Sequence, residues 1–226
     1  MEIQTDVLVV GAGHAGCEAA LAAARMGCRV TILTASLQQV ARMPCNPSIG
    51  GPAKAHLVKE VDALGGIMGQ AIDETHVHIR MLNTSKGPAV QALRAQADRP
   101  RYSERVKLEV VSHPNIQIHQ DLIQELHLHQ GEILGAIGTT GTRYRAGATV
   151  LTTGTFLGGL IHMGETSFAA GRSGEPPALA LSESLRACGL DLGRLKTGTT
   201  PRLHRDTINW KAMEEQTPTE TPLVFS

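Results

Sequence analysis

The sequence predicts an α/β fold built on a parallel sheet, and three observations carry that expectation. The run Val7-Leu8-Val9-Val10 is apolar and rich in β-branched residues, which suits a strand buried on both faces. Gly11-Ala12-Gly13-His14-Ala15-Gly16 follows at once, and an alanine-rich stretch from Cys17 to Met26 closes at Gly27. That stretch is a strong helix former with a glycine stop. Arg29-Val30-Thr31-Ile32-Leu33 then reads as a second strand. Strand, glycine turn, helix and strand within about thirty residues make a βαβ unit of Rossmann type.

The remaining elements follow in order. Residues 43–56 hold three prolines and the pair Gly50-Gly51, so they read as loop. A helix is expected from near Pro52 to Leu64, ended by Gly65-Gly66, and a strand over Thr75–Leu82. Asn83-Thr84-Ser85-Lys86-Gly87-Pro88 is a polar loop, and a long helix is expected from Ala89 to about Ser112. Residues 115–152 read as strands: Asn115 to His119, then a hairpin of Leu122–Leu128 and Ile133–Ile137 about Gln130-Gly131, then the return strand Ala148–Thr152. The glycine-rich stretch Phe156–Gly174 reads as loop, and Pro177–Cys188 as a helix stopped by Gly189. After Arg205 the apolar periodicity is lost.

Composition narrows the function. The chain has 226 residues, 42% hydrophobic and 19% charged, with 21 basic and 21 acidic side chains. A sizeable core is expected, and bulk positive charge is excluded as the means of holding nucleic acid. Aromatic residues make up 3%, which argues against an RNA surface built on stacking. The four cysteines form no CxxC pair, so reduced thiols and a cytoplasmic setting are expected rather than a disulfide framework or zinc ribbon. The start, Met1 to Asp6, is polar and acidic, unlike a signal or transit peptide, and no apolar stretch approaches membrane-spanning length. His76-x-His78 and His127-x-His129 each set two imidazoles on one strand face. No third ligand accompanies either pair at suitable spacing, so no metal site is expected.

The glycine turn carries the chemistry. Gly11 permits the tight turn, Gly13 lets backbone approach a pyrophosphate, and Gly16 lets the helix pack on the strand. The helix N-terminus offers free N–H groups and a positive dipole to phosphate. Gly11, Ala12, Gly13, His14, Ala15 and Gly16 are therefore candidate cofactor-binding residues. His14 lies at the helix start, where an imidazolium is disfavoured, so it is not read as a base. The second strand ends Leu33-Thr34-Ala35-Ser36 without the acid that usually meets a ribose hydroxyl. Thr34 is the replacement candidate, and a simple NAD dehydrogenase is disfavoured. A hairpin inserted before a return strand ending Thr152-Thr153-Gly154-Thr155 is the pattern of FAD domains in two-dinucleotide flavoproteins. It places backbone near Ile123 by the adenine, and Thr153 and Gly154 by the cofactor.

Longer motifs make the likeness specific. Pro44-Cys45-Asn46-Pro47-Ser48-Ile49-Gly50-Gly51, His56 to Gly66, Leu82 to Val90, Arg94 to Arg99, Gly154 to Gly159 and Gly171 to Pro177 together resemble the MnmG (GidA) family. The resemblance runs from Asp6 to about Ser226. It implies an FAD-dependent tRNA-modifying enzyme. Such an enzyme builds the carboxymethylaminomethyl group on C5 of wobble uridine 34 with an MnmE-type GTPase partner, NADH as reductant and a folate one-carbon donor. A homodimer is implied for the full-length enzyme. Family members are much longer, so this chain reads as an N-terminal fragment. Residues 1–205 would be an FAD-binding domain lacking its final flavin-contacting segment, and 206–226 the polar start of a second, NAD-binding region. The alternatives are a folate- and FAD-dependent tRNA uracil methyltransferase relative, or a non-catalytic FAD-binding module.

The same resemblance assigns roles. Cys45 and Lys86 become the candidate catalytic residues. A thiolate adding at C6 of uracil activates C5 through an enolate, or handles the one-carbon adduct; the other reading of Cys45 is a packed thiol. Ala178 stands where the family usually has serine at the flavin site, and Thr200 where it usually has proline. Lys54, Lys59, Lys86, Arg94 and Arg99 are candidate contacts to phosphate or carboxylate. The window 80–107 carries seven basic and two acidic residues, a local basic face suited to tRNA or simply a solvated helix face.

Overall fold

The computed structural model describes residues 1–44, 46–172, 174–217 and 222–226. In chain order the elements are β1 (Glu2–Val10), α1 (His14–Arg25), β2 (Val30–Thr34), β3 (Ser48–Gly50), α2 (Lys54–Ala63), α3 (Met68–Thr75), β4 (His76–Leu82) and β5 (Ala92–Ala97). Then come α4 (Arg99–Ser112), β6 (Ile116–Gln120), β7 (Ile123–His129), β8 (Glu132–Gly138), β9 (Arg143–Leu151), β10 (Leu160–Met163), β11 (Thr166–Ala169) and α5 (Leu179–Ala187). They fall into two compact units, Met1–Arg42 with Glu104–Arg194 and Met43–Ser103 with Leu195–Ser226.

The first unit holds a six-stranded sheet of order β6-β2-β1-β9-β8-β7. β1 runs parallel to β2 and to β9, and β2 parallel to β6, while β7, β8 and β9 are joined antiparallel. This is the Rossmann-like α/β sheet with an inserted β-meander. Alternation along β1 divides its residues between two faces. Leu8 and Val10 join Leu33, Ile123, Leu126, Tyr144, Leu181 and Leu185 in one buried cluster with α5. α1 packs on β1 and β2, burying Gly16, Cys17, Ala20, Leu21 and Ala24. Small residues on that stripe let the helix lie close to the strands.

The meander is fastened by one buried carboxylate. Asp121 accepts hydrogen bonds from the Thr139 hydroxyl at 3.0 Å, the Thr140 hydroxyl at 3.3 Å and the Tyr144 hydroxyl at 3.0 Å. Burial, helped by Asp121, pushes the Tyr144 phenol up to about 12, so it stays a donor through the ordinary pH range.

The second unit contains a three-stranded antiparallel sheet of order β3-β5-β4. Here the structure corrects the expected helix over 89–112. A 3-10 turn at Pro88–Val90, strand β5 and only then α4 occupy that stretch. Ala92, Leu93, Ala95 and Ala97 are buried on β5, which pairs with β3 on one side and β4 on the other. Helix propensity in Ala-Leu-Arg-Ala-Gln-Ala is a weak preference, and two long-range pairings override it. The loop reading of 156–174 is likewise refined, because β10 and β11 form a hairpin within it.

Candidate functional site

The glycine turn lies between β1 and α1 and is held almost entirely through its carbonyls. Gly11 turns the chain at φ 109°, a backbone region that excludes most side chains, and its N–H donates to the Leu33 carbonyl at 2.8 Å. The Thr152 hydroxyl, at the end of β9, donates to the carbonyls of Val10 at 3.0 Å and Gly11 at 3.1 Å. The Ala12 carbonyl accepts from the Ala41 N–H at 2.8 Å and from the Cys17 thiol at 3.6 Å. The Gly13 carbonyl accepts the first helical bond, from Cys17 N–H at 2.9 Å. Burial pushes the Cys17 thiol up to about 12, so it serves as a neutral donor beneath the turn and not as a nucleophile.

With those acceptors occupied, the turn presents donors. Gly13 is the N-cap of α1 and provides no side-chain cap, and the first helical turn carries no acid. The opening N–H groups of a helix have no intrahelical acceptor, and the helix dipole favours an anion there. A Cβ added at Gly13 would meet nothing within 4 Å, so open space lies over the turn where a phosphate would approach. A Cβ at Gly16 would instead overlap the Gly11 carbonyl oxygen and come within 2.8 Å of the Thr152 hydroxyl. The three glycines therefore do different work: Gly11 bends, Gly13 leaves room and Gly16 closes the packing. A dinucleotide pyrophosphate fits this cradle. Burial pushes the His14 imidazole down, so it adds no positive charge to the turn near pH 7.

The other expected cofactor residues distribute around the same sheet. Thr34 ends β2, and its hydroxyl donates to the Ser36 carbonyl at 3.2 Å while accepting from the Ser36 N–H at 3.4 Å. It thus braces the turn after β2. Ile123 opens β7 with its side chain in the core cluster. Thr153 caps a 3-10 turn containing Gly154, whose φ is 54° with open space where a Cβ would stand. Ala178 caps α5; its N–H donates to the Phe156 carbonyl at 2.7 Å and its carbonyl accepts from Gly158 N–H at 3.2 Å. The backbone thus fixes the 156–158 turn without help from the missing hydroxyl. Thr152 is the residue that sequence reasoning passed over. Its signal was position, immediately before Thr153-Gly154 on the strand that returns beside β1.

Cys45 lies outside the described residues. Lys86 belongs to the second unit, in a turn closed by its own N–H to the Asn83 carbonyl at 2.9 Å. Its carbonyl accepts from the Gln91 amide at 2.9 Å, and its side chain is exposed. The basic window is divided among β4, the Lys86 turn, β5 and α4 and does not lie on one helix; within α4 Arg105 pairs with Glu109 at 2.9 Å. Among the described residues no group of three or more His, Cys, Asp or Glu side chains could hold a metal ion. No helix there is long and apolar enough to cross a membrane.

Fold and turn together define a dinucleotide-binding α/β unit of the Rossmann class, with the meander of flavoprotein domains. The family model described as Glucose inhibited division protein A, GIDA, matches residues 6–226, and the chain belongs to that family. It is 53% identical over 98% of its length to the tRNA uridine 5-carboxymethylaminomethyl modification enzyme MnmG of Lactobacillus delbrueckii subsp. bulgaricus, covering 35% of that protein. It is 51% identical over 99% of its length to the MnmG of Bacillus subtilis, covering 36% of it. The solved structure of Aquifex aeolicus GidA superposes with a TM-score of 0.93 at 44% identity, over 99% of this chain and 37% of that one. The chain thus spans about a third of the length of the relatives it matches.

Proposed function

We propose that this chain is the FAD-binding part of a tRNA-modifying flavoenzyme that elaborates C5 of the wobble uridine. The single observation that supports it most is the turn at 11–16, whose carbonyls at Gly11, Ala12 and Gly13 are engaged and which leaves open space over Gly13 at the start of a helix. Gly11 to Gly16 hold the pyrophosphate, and the backbone at Ile123, Thr153, Gly154 and Ala178 flanks the rest of the cofactor. When bound, the flavin supplies two-electron redox chemistry. NADH is its reductant, a folate supplies the one-carbon unit, and an MnmE-type GTPase and a second copy complete the assembly.

Cys45 and Lys86 are the catalytic pair of this reading. Uracil C5 is a poor nucleophile until a thiolate adds at C6 and leaves an enolate that the neighbouring carbonyl carries. Later elimination restores the thiolate and the ring. Lys86 supplies a cation on an exposed turn beside an RNA or folate anion.

Titration with FAD, followed by flavin fluorescence, tests the cofactor assignment. Saturable binding is expected, and Gly13→Asp should abolish it by placing a carboxylate in the open space above the turn. Because Gly13 has φ −77° and no neighbour there, the variant should keep its thermal midpoint. Equal FAD affinity in the two proteins would sink the proposal.

A further inference from the structure

One polar cleft of the second unit gathers Arg80 and Arg94 out of the basic window. His78, Arg80 and Leu82 alternate along β4, and Arg94 and Gln96 along β5. The register sets Arg80 directly opposite Arg94 and His78 opposite Gln96, so all of them share one face of the sheet. With Gln216 they line a cleft of about 260 Å³.

The arrangement is costly without an anion. Like charges facing each other across two strands destabilise a sheet. Both arginines are half-buried, and among the described residues the cleft lining contains no carboxylate. The His78 Nε2 atom is enclosed without a hydrogen-bond partner among the described residues, and orphaned buried polar atoms of this kind are rare in folded proteins. Two opposed guanidinium groups, an imidazole and an amide form a donor set that matches the oxygens of a phosphate, which arginine holds bidentately. Among the described residues, Leu82 is the one apolar residue of the lining. That lining suits a charged group.

We propose that the β4–β5 face binds a phosphate group through Arg80 and Arg94, with His78 and Gln96 completing the donor set. Under the tRNA-modifying reading, on which this assignment of source rests, the group is a backbone phosphodiester of the RNA.

Arginine modification by phenylglyoxal, read residue by residue by mass spectrometry on the whole protein, tests the site without any substitution. Inorganic phosphate at about ten times its Kd should slow modification of Arg80 and Arg94 roughly tenfold relative to chloride of equal ionic strength. Arg186, outside the cleft, should react equally in both. Arg94→Gln relieves the like-charge pair, so it should fold, yet it should remove the protection of Arg80. Equal rates in phosphate and chloride, or protection of Arg80 that survives Arg94→Gln, would overturn the site.

Two further arms separate the sources. Protection by a tRNA transcript, with the salt slope of tRNA binding lowered by about one in Arg94→Gln, establishes the RNA phosphodiester. Protection by a mononucleotide but not by tRNA overturns the RNA source and keeps the phosphate site. If the unaltered protein binds no tRNA at all, the tRNA-modifying reading fails, while protection by inorganic phosphate still establishes the cleft.

Discussion

The glycine turn of the first unit and the arginine face of the second are both donor-rich surfaces, but they are made in opposite ways. The turn takes its donors from the backbone of six consecutive residues, and its supports are mostly near in sequence: Leu33, Ala41 and Cys17. The arginine face takes its donors from side chains brought together by pairing β4 with β5. A backbone cradle presents the same dipoles whatever the side chains are, provided that the glycines keep the chain path. A side-chain face depends on register, because a slip of one residue turns every arginine to the other side. The first arrangement specifies a fixed ligand geometry; the second tolerates any phosphate that reaches it.

The largest expected effect tests how the second unit's sheet is held. Phe225 is 3% exposed and lies against Gly50, whose φ is 98° and where an added Cβ would come 2.9 Å from the ring. Both Asp73 oxygens accept from the Phe225 N–H at 2.9 Å, and one of them accepts from Ser226 N–H at 2.8 Å. Phe225→Ala should cost about 3 kcal/mol, since a buried aromatic is lost beside backbone that cannot close in. Amide exchange in β3, β4 and β5 should accelerate accordingly. Unchanged exchange there would mean that the sheet stands without the 222–226 segment.

That dependence also explains what the sequence revealed and what it hid. Val7 to Leu33 was legible because each element announces itself locally: a β-branched run, a glycine turn, an alanine-rich helix and a glycine stop. β5 was hidden because Ala92–Ala97 has the composition of a helix, and its strand state comes from β3 and β4, 46 and 16 residues earlier in the pairs Ile49–Ala95 and Ile79–Ala95. The basic window and Arg94 were legible, but the facing of Arg80 and Arg94 was hidden for the same reason. Arg80 and Arg94 are neighbours only once that register exists. Thr152 escaped because its role arises where β9 ends beside the turn, 141 residues along the chain from Gly11.

Gly16→Ala sharpens the contrast from the first unit. Alanine gains helix propensity worth about 1 kcal/mol over glycine. Against that, its Cβ would overlap the Gly11 carbonyl oxygen, and that atom is backbone already fixed by Thr152. Overpacking of this kind typically costs about 1–3 kcal/mol, so net destabilisation is expected in urea unfolding, with faster exchange in β1 and α1. A more stable Gly16→Ala protein would show that the turn yields and that Gly16 is not the packing residue.

The smallest expected effect concerns pH. Burial pushes the His14 imidazole below its ordinary value, so the unfolded chain takes up the proton first as pH falls. The sign follows from linkage: stability is fully present above the unfolded value of about 6.5 and is lost as pH drops through it towards the folded value. The stability difference between the unaltered protein and His14→Gln should therefore be flat above about pH 7 and shift against the unaltered protein below about pH 6.5. FAD affinity, which rests on backbone N–H groups, should follow the same curve only as far as the turn itself loosens. A difference that stays flat down to pH 5 would mean that His14 keeps its ordinary affinity for a proton beside the turn, and the neutral imidazole inferred there would have to be given up.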